Sequence, residues 1–195
     1  MKRGWLTRRG VVAALAVGLA TVWGFGWRGL VLLLAFFISS SLLSAKGGGR
    51  NARQVIANGG VAALAALVGS WAACAGALAA ATADTWASEI GRHSRTPPRL
   101  ITNGRSVPAG TDGGMTLLGT LGGMAGAGLI AGLASVAEPR ALTAVATAGV
   151  FGMLLDSVLG ATVQGAFRWL DNDAVNLAAT LGGASVAFAF SLLYR

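Results

Sequence analysis

The sequence predicts an all-α fold: a polytopic transmembrane helix bundle of about six membrane helices, with one irregular or re-entrant segment. Three observations predict it. Hydrophobic residues make up 54% of the chain and charged residues 11%, and the mean hydropathy is +0.67, values of the membrane class rather than of soluble globular proteins. The apolar residues fall into runs approaching the ~20 residues that cross a hydrocarbon core. The acids are few and mostly stand among Gly, Ser, Thr, Asn and Gln: Asp84, Glu89, Asp112, Asp156, Asp171 and Asp173, with Glu138 beside Pro139 and Arg140 the one ordinary loop charge.

The net charge of +8 suits an anionic lipid surface, worth ~1 kcal/mol per Lys or Arg near it, and equally a phosphorylated ligand. The basic residues form short clusters between apolar runs rather than one face, which argues against nucleic acid as a partner. Cys74 is alone inside an apolar run and reads as a small core residue, with no disulfide. His93, the single histidine, reads as a loop residue, so a histidine zinc site or a Ser-His-Asp triad has little support.

The first run, Val11 to Trp23, follows Lys2, Arg3, Arg8 and Arg9. A secretory signal peptide would look similar, but no clean small-x-small cleavage site follows and another apolar run begins almost at once. It reads as a short membrane helix with a cytoplasmic basic flank, and Trp5, Trp23 and Trp27 suit the interface. The second run, Gly29 to Ser44, is short and ends in serines, which tilt or local thinning accommodates. These two helices form a unit at 1–44, and 45–195 carries the motifs of the same bundle.

KGGGRNARQVIANGG follows at Lys46 to Gly60. Gly47, Gly48 and Gly49 let the backbone approach an oxyanion. Arg50 and Arg53 can grip phosphate oxygens as forks, and Lys46 as a point charge. Asn51 is a reasonable N-cap for a helix from Ala52, whose N-terminus would add to the anion site. Gln54 and Asn58 share a face of that helix. The lysine precedes the glycines, so this is no Walker A loop. A plain basic juxtamembrane loop explains the same residues.

The third run, the Ala-rich Gly59 to Ala83, delivers ADTWASE. At four-residue spacing Asp84 pairs with Ser88 and Thr85 with Glu89, while Asp84 and Glu89 point about 140° apart on a straight helix. An Asp at mid-membrane costs roughly 2.5–3.5 kcal/mol on insertion scales, so it needs a cation or a positive side chain as partner. Asp84 is the stronger ligand candidate. The polar stretch 92–111, with four arginines and three prolines, reads as a folded loop with a short hairpin over 100–107 and turns at Asn103-Gly104 and Asp112-Gly113. Thr111 or Asp112 can cap the next helix.

That fourth helix, Met115 to Val136, carries three small-residue rows: Gly119/Gly123/Ala127, Gly122/Gly126 and Gly128/Gly132. Such rows bring helix backbones together, within the chain or between copies. The fifth, Ala141 to Val163, aligns Asp156, Gly160 and Gln164 on one face. An intramembrane Asp there marks a functional site, or else an Asp–Arg pair made for assembly. The sixth, Ala174 to Leu193, is preceded by RWLDNDAVN; Asp171 or Asn172 can cap it, which leaves Asp173 and Asn176 together unexplained. Six crossings put the Lys46–Arg53 and Arg92–Arg105 clusters on opposite sides, whereas the positive-inside tendency wants both inside. The short second run or the Ala-rich third must therefore be irregular.

KGGGRNARQVIANGG, ATADTWASEIG, LITNGRSVPAGTDGGMTLLGT, LLDSVLGATVQ and DNDAVN, in that order, resemble the domain-of-unknown-function 92 family of integral membrane proteins. That family takes in animal transmembrane protein 19 and the plant phytyl-phosphate kinases. ADTWASEIG is also similar to the Gly-Asp-x-x-Ala-x-x-x-Gly motif of the dolichol kinases, with Ala83 in place of the glycine. The resemblance implies Mg²⁺-dependent phosphoryl transfer from a nucleoside triphosphate, CTP by preference, to a phytyl or polyprenyl monophosphate. Asp84, Glu89 and Asp156 would be catalytic. Asp84, Glu89, Asp156 and Asp173 would hold Mg²⁺. Lys46, Gly47, Gly48, Arg50, Arg53, Gln54, Asn58, Asn103, Thr111 and Gly113 would meet phosphate and nucleotide. Ser88, Gln164 and Asn176 would complete the polar site, and the isoprenoid tail would lie between the Gly-faced helices. The expected setting is a bacterial-type inner or plasma membrane. A transporter or flippase without nucleotide chemistry, and a structural assembly subunit, are the competing classes.

Overall fold

A computed structural model describes residues 4–44 and 48–193. Its elements are α1 (Arg8–Leu43), α2 (Ala52–Leu67), α3 (Trp71–Gly91), β1 (Arg99–Leu100), β2 (Gly114–Met115), α4 (Leu117–Ala137), α5 (Ala141–Thr162) and α6 (Asn172–Leu193). Four of them, α1, α4, α5 and α6, are long and apolar enough to cross a membrane.

The first two apolar runs form α1, which is two legs rather than one rod. Gly26 takes φ 60° and ψ −142° between them, a left-handed conformation that glycine adopts without penalty. The legs fold back on each other: a Cβ on Gly29 would lie 2.9 Å from the Thr21 carbonyl oxygen, and Gly18 faces Leu33. Each leg is about 26 Å long at 1.5 Å per residue. Both open ends meet residue 50, since Arg50 N–H donates to Trp5 O at 2.9 Å, Thr7 N–H donates to Arg50 O at 3.1 Å, and Arg50 Nη1 donates to Ser41 Oγ at 2.7 Å.

The third run, one of the two candidates for the irregular segment, is broken into α2 and α3. Gly69 has φ 72°, and Ser70 N–H turns back to Ala65 O at 2.9 Å. Ser70 Oγ then caps α3 by accepting from Ala73 N–H. The run is Ala-rich and apolar on both sides of the turn, so hydropathy carries little mark of it; the Gly-Ser pair is the local cause. This second hairpin resolves the topological conflict. Residues 52 and 91 come to the same end of the bundle, and Ser44 Oγ donates to Glu89 Oε1 at 3.0 Å across it.

Helix α3 is the centre of the bundle. Twelve consecutive residues, Ala72 to Ala83, are buried, nearly all small, so that neighbouring backbones close in on several sides. At Gly76 a Cβ would lie 2.7 Å from Gly183 O of α6, and at Gly149 of α5 it would lie 3.1 Å from Ala79. On α4, Gly119, Gly122, Gly123 and Gly126 are filled by Ala87, Ile90, Met153 and Trp86, whereas Gly128 and Gly132 meet nothing within 4 Å. Of the three glycine rows, two are therefore spent inside the chain, and the groove expected between the Gly-faced helices is occupied by α3. The Gly128/Gly132 row alone is open.

The cap of α4 is Thr116, which accepts from Gly119 N–H at 3.0 Å, not Thr111 or Asp112. Those two remain in the loop because β2 intervenes: Leu100 and Gly114 pair, as do Arg99 and Met115. The turn expected over 100–107 is present as a narrower feature, with Gly104 N–H on Leu100 O and Leu100 N–H on Arg105 O. Asp171 caps α6, accepting from Ala174 N–H at 3.2 Å.

The two hairpins gather charge at one end. Among the described residues, Arg8, Arg9, Arg50, Arg53, Arg92, Arg95, Arg99, Arg105 and Arg168 lie at the end where α3 finishes and α4 begins, and Arg28 and Arg140 at the other. Both arginine clusters thus lie on one side, as the positive-inside tendency asks.

Candidate functional site

A cavity of about 600 Å³ opens at the arginine-rich end. Helices α3, α4 and α5, the first residue of α6 (Asn172) and a loop build it. Helix α3 contributes Asp84, Ala87, Ser88 and Gly91; α5 contributes Asp156, Ser157 and Gly160; the start of α4 contributes Thr116, Gly119 and Thr120; and the loop lays Arg92, Arg95 and residues 107–115 across the top. The four-residue steps 84–88 and 156–160 are the helical spacing that turns each row to one side.

The loop is held down by backbone contact. Gly113 has φ 72° and sits so close to α5 that a Cβ would lie 2.6 Å from Ser157 O and also collide with Ala161. Gly160 answers it: a Cβ there would lie 3.2 Å from Gly113 N. Two glycines thus let the loop rest on the helix, and the neighbouring Asp112 is delivered into the cavity.

At the floor the carboxyl groups of Asp84 and Asp156 face each other at hydrogen-bonding range, with the charge of Asp112 near Asp156. Asp156 Oδ2 is buried and has no hydrogen-bond partner. Asp84 lies seven residues before the end of α3 and Asp156 six before the end of α5, about 10 Å below the helix ends at 1.5 Å per residue. A carboxylate at that depth with an orphaned oxygen calls for a proton or a cation. The donor set is all oxygen and small, which fits Mg²⁺, an ion that takes one or two carboxylates and completes its shell with water and phosphate. Asp84 and Asp156 are the residues that would hold it; among the described residues no group of three or more His, Cys, Asp or Glu is arranged to ligate a metal alone.

The cavity brings together Asp84, Ser88, Thr111, Gly113, Asp156 and Gln164 of the expected site residues. Others lie elsewhere. Lys46 and Gly47 fall outside the described residues; Gly48 is exposed beside them. Arg50 ties the N-terminal hairpin together, with its guanidinium also 5.8 Å from the Phe37 ring; burial lowers its pKa from the ordinary arginine value, and the nearby Glu89 charge opposes that. Gln54 and Asn51 form a capping box, and Asn58 Nδ2 donates to Gln54 O. Arg53 pairs with Asp171 at 2.9 Å and reaches Asp173 at 3.7 Å. Glu89 pairs with Arg92 at 3.0 Å. Asn103 holds its own turn, accepting from Arg105 N–H. Asn176 lies a turn inside α6 and does not line the cavity. The sequence reading missed Arg92, Arg95, Asp112, Ser157 and Asn172. For Asp112 the signal was present, since it stands between two residues already singled out; for the arginines nothing in their spacing shows that the loop folds back over α3.

These features define a class: a multi-pass helical membrane protein with a carboxylate pair under an arginine-rimmed cavity at one end. The chain belongs to the family described as integral membrane protein DUF92, whose sequence model matches residues 1–184 and so includes α1. It is 34% identical to an uncharacterized membrane protein of Methanocaldococcus jannaschii, over 93% of this chain and 84% of that one. It is 33% identical to Protein PGR of Arabidopsis thaliana, over 71% of this chain and 65% of that one. To the Arabidopsis protein named VTE6, chloroplastic, it is 27% identical, over 93% of this chain and 64% of that one. No solved structure matches. With an archaeon and a plant among the relatives, multi-pass integral membrane localisation follows and the particular membrane does not.

Proposed function

We propose that this protein is an isoprenoid-phosphate kinase, transferring a phosphoryl group from a nucleoside triphosphate, CTP by preference, to a phytyl or polyprenyl monophosphate. The observation that carries the reading is the half-buried Asp84–Asp156 pair, with Asp156 Oδ2 buried and orphaned, beneath a cavity rimmed by Arg92 and Arg95. The family adds to it, since the resemblance brings in the plant phytyl-phosphate kinases.

Phosphoryl transfer needs positioning and charge neutralisation more than a covalent nucleophile. Asp84 and Asp156 are the residues that would hold Mg²⁺, which would supply neutralisation of phosphate charge. Arg92 and Arg95 bind equatorial phosphate oxygens from the rim. The Gly113 and Gly114 backbone permits close approach, and Thr111, Thr116 and Ser157 offer hydroxyls. The acceptor is itself a phosphate, so its nucleophilic oxygen is ionised near neutral pH and requires no strong general base. The two aspartates lie about 10 Å below the helix ends, a depth a lipid phosphate reaches from the headgroup layer while its tail stays in hydrocarbon.

The test is a panel of nucleotides and lipid phosphates with Mg²⁺ and purified protein, read by mass spectrometry. The expected product is the isoprenoid diphosphate, and Asp84→Asn abolishes it. Movement of isoprenoid phosphate across vesicles with no nucleotide requirement would replace this reading with transport.

A further inference from the structure

The N-terminal hairpin contributes none of its described residues to the cavity, yet it touches α3 through Phe25 against Trp71, through Ser39 Oγ accepting from Trp86 Nε1 and, nearest the cavity, through Ser44 on Glu89. We propose that Glu89 is a positioning residue: from behind α3 it holds Arg92 at the cavity rim and couples that arginine to the N-terminal hairpin, so that residues outside the cavity govern its grip on anionic phosphate. This rests on the reading of the cavity as a polyphosphate site.

Glu89 follows Ser88, which lines the cavity, and one residue along a helix turns the side chain about 100° away. Its two oxygens are separately engaged: Oε1 accepts from Ser44 Oγ at 3.0 Å and Oε2 from Arg92 Nη1 at 3.0 Å. Ser44 closes the second leg of α1, its N–H bonded to Ser40 O. Arg50 supplies a positive charge close to Glu89 and is fixed by Ser41 and by the backbones of Trp5 and Thr7. The Glu89 side chain is 17% exposed and that of Arg92 67%. One partner is thus a fixed post and the other a solvent-reaching arm. An exposed pair of this spacing contributes little alone; here the carboxylate is restrained from the far side, so the pair fixes where the guanidinium points. Arg95 also lines the cavity but has no ion pair among the described residues. The two rim arginines therefore differ: Arg92 is pre-placed and Arg95 is free to follow the ligand.

The experiment uses the full-length protein in detergent. Glu89→Gln keeps size and shape but removes the charge. Pyrophosphate binding by calorimetry is expected to weaken about tenfold, and the KM for nucleotide to rise by a similar factor, with kcat within twofold and the Mg²⁺ dependence unchanged. Glu89→Asp should recover part of the loss. Because Arg92 acts on the exposed side, Arg92→Gln folds, and Glu89→Gln added to it costs nothing further if the effect runs through Arg92. Additive losses, a shifted Mg²⁺ dependence, or a lowered melting temperature with KM unmoved would overturn the positioning role. So would a Glu89→Gln variant that binds pyrophosphate as the wild type does, and that result leaves the proposed reaction standing. A wild type that binds pyrophosphate but transfers phosphoryl from no nucleotide overturns the reaction and leaves the positioning role. A wild type that binds no pyrophosphate overturns both.

Discussion

Replacing Gly113 by alanine tests how the loop is docked over the cavity. Two costs combine. The backbone is left-handed at φ 72°, which an L side chain pays about 1–2 kcal/mol to adopt. The new methyl would also lie 2.6 Å from Ser157 O, an overpacking worth about 1–3 kcal/mol. The sum, about 2–5 kcal/mol, is most easily relieved by lifting the loop off α5, since the helices beneath are locked by their own glycines. Gly110→Ala is the control: it carries φ 89° with nothing within 4 Å, so it incurs the backbone cost alone. The difference between the two variants, about 1–3 kcal/mol, is roughly a 5- to 150-fold change in the docked population. Amide hydrogen exchange at Ile101, whose N–H donates to Gly113 O at 3.1 Å, reads it directly. Faster exchange in Gly113→Ala by that factor over Gly110→Ala is expected, together with weakened CTP binding. Equal protection in the two variants would show that the loop is not held by this contact.

Other outcomes follow from the same geometry. Asp156→Asn lets an amide N–H donate to Asp84, so the ligand-free protein should gain about 1–3 kcal/mol, the usual cost of a buried unsatisfied polar group, seen as a higher melting temperature with turnover lost. Gly76→Val should break the bundle, because a Cβ there already meets Gly183 O at 2.7 Å, whereas Gly128→Ala should stay within about 0.5 kcal/mol of wild type; size-exclusion profiles and thermal melts compare them. In a Cys74→Ser background, Arg9→Cys and Arg105→Cys should both label from one face of the membrane and Val68→Cys from the opposite one. Labelling of Arg9→Cys and Arg105→Cys from different faces would mean that Gly59 to Ala83 crosses once.

What the sequence disclosed was set by how local the cause is. The helices from 115 onward are legible because each has its own apolar run and its own stop. Asp84 and Asp156 stand out because an acid in such a run has no local explanation, and the structure places them together. The turn at Gly69 was hidden: Ala-rich apolar sequence continues on both sides of the Gly69-Ser70 pair, so no lasting change of hydropathy accompanies the change of direction. The basic stretch around Arg50 and Arg53 has the glycines and arginines of a phosphate site, but the partners the structure gives these arginines, Ser41 and Trp5 for Arg50 and Asp171 for Arg53, are distant in sequence and carry no local signal. Arg92 and Arg95 needed knowledge of a loop path that only Gly113 meeting Gly160 determines.

Helix α3 has a consequence for how the protein is made. It is the least greasy of the long helices and carries two acids toward its end, so its own partitioning from the translocon is weak. It enters lipid as the returning arm of a pair with α2 and becomes enclosed only when α4, α5 and α6 arrive. The two aspartates, one on α3 and one on α5, come together only in that last act of assembly.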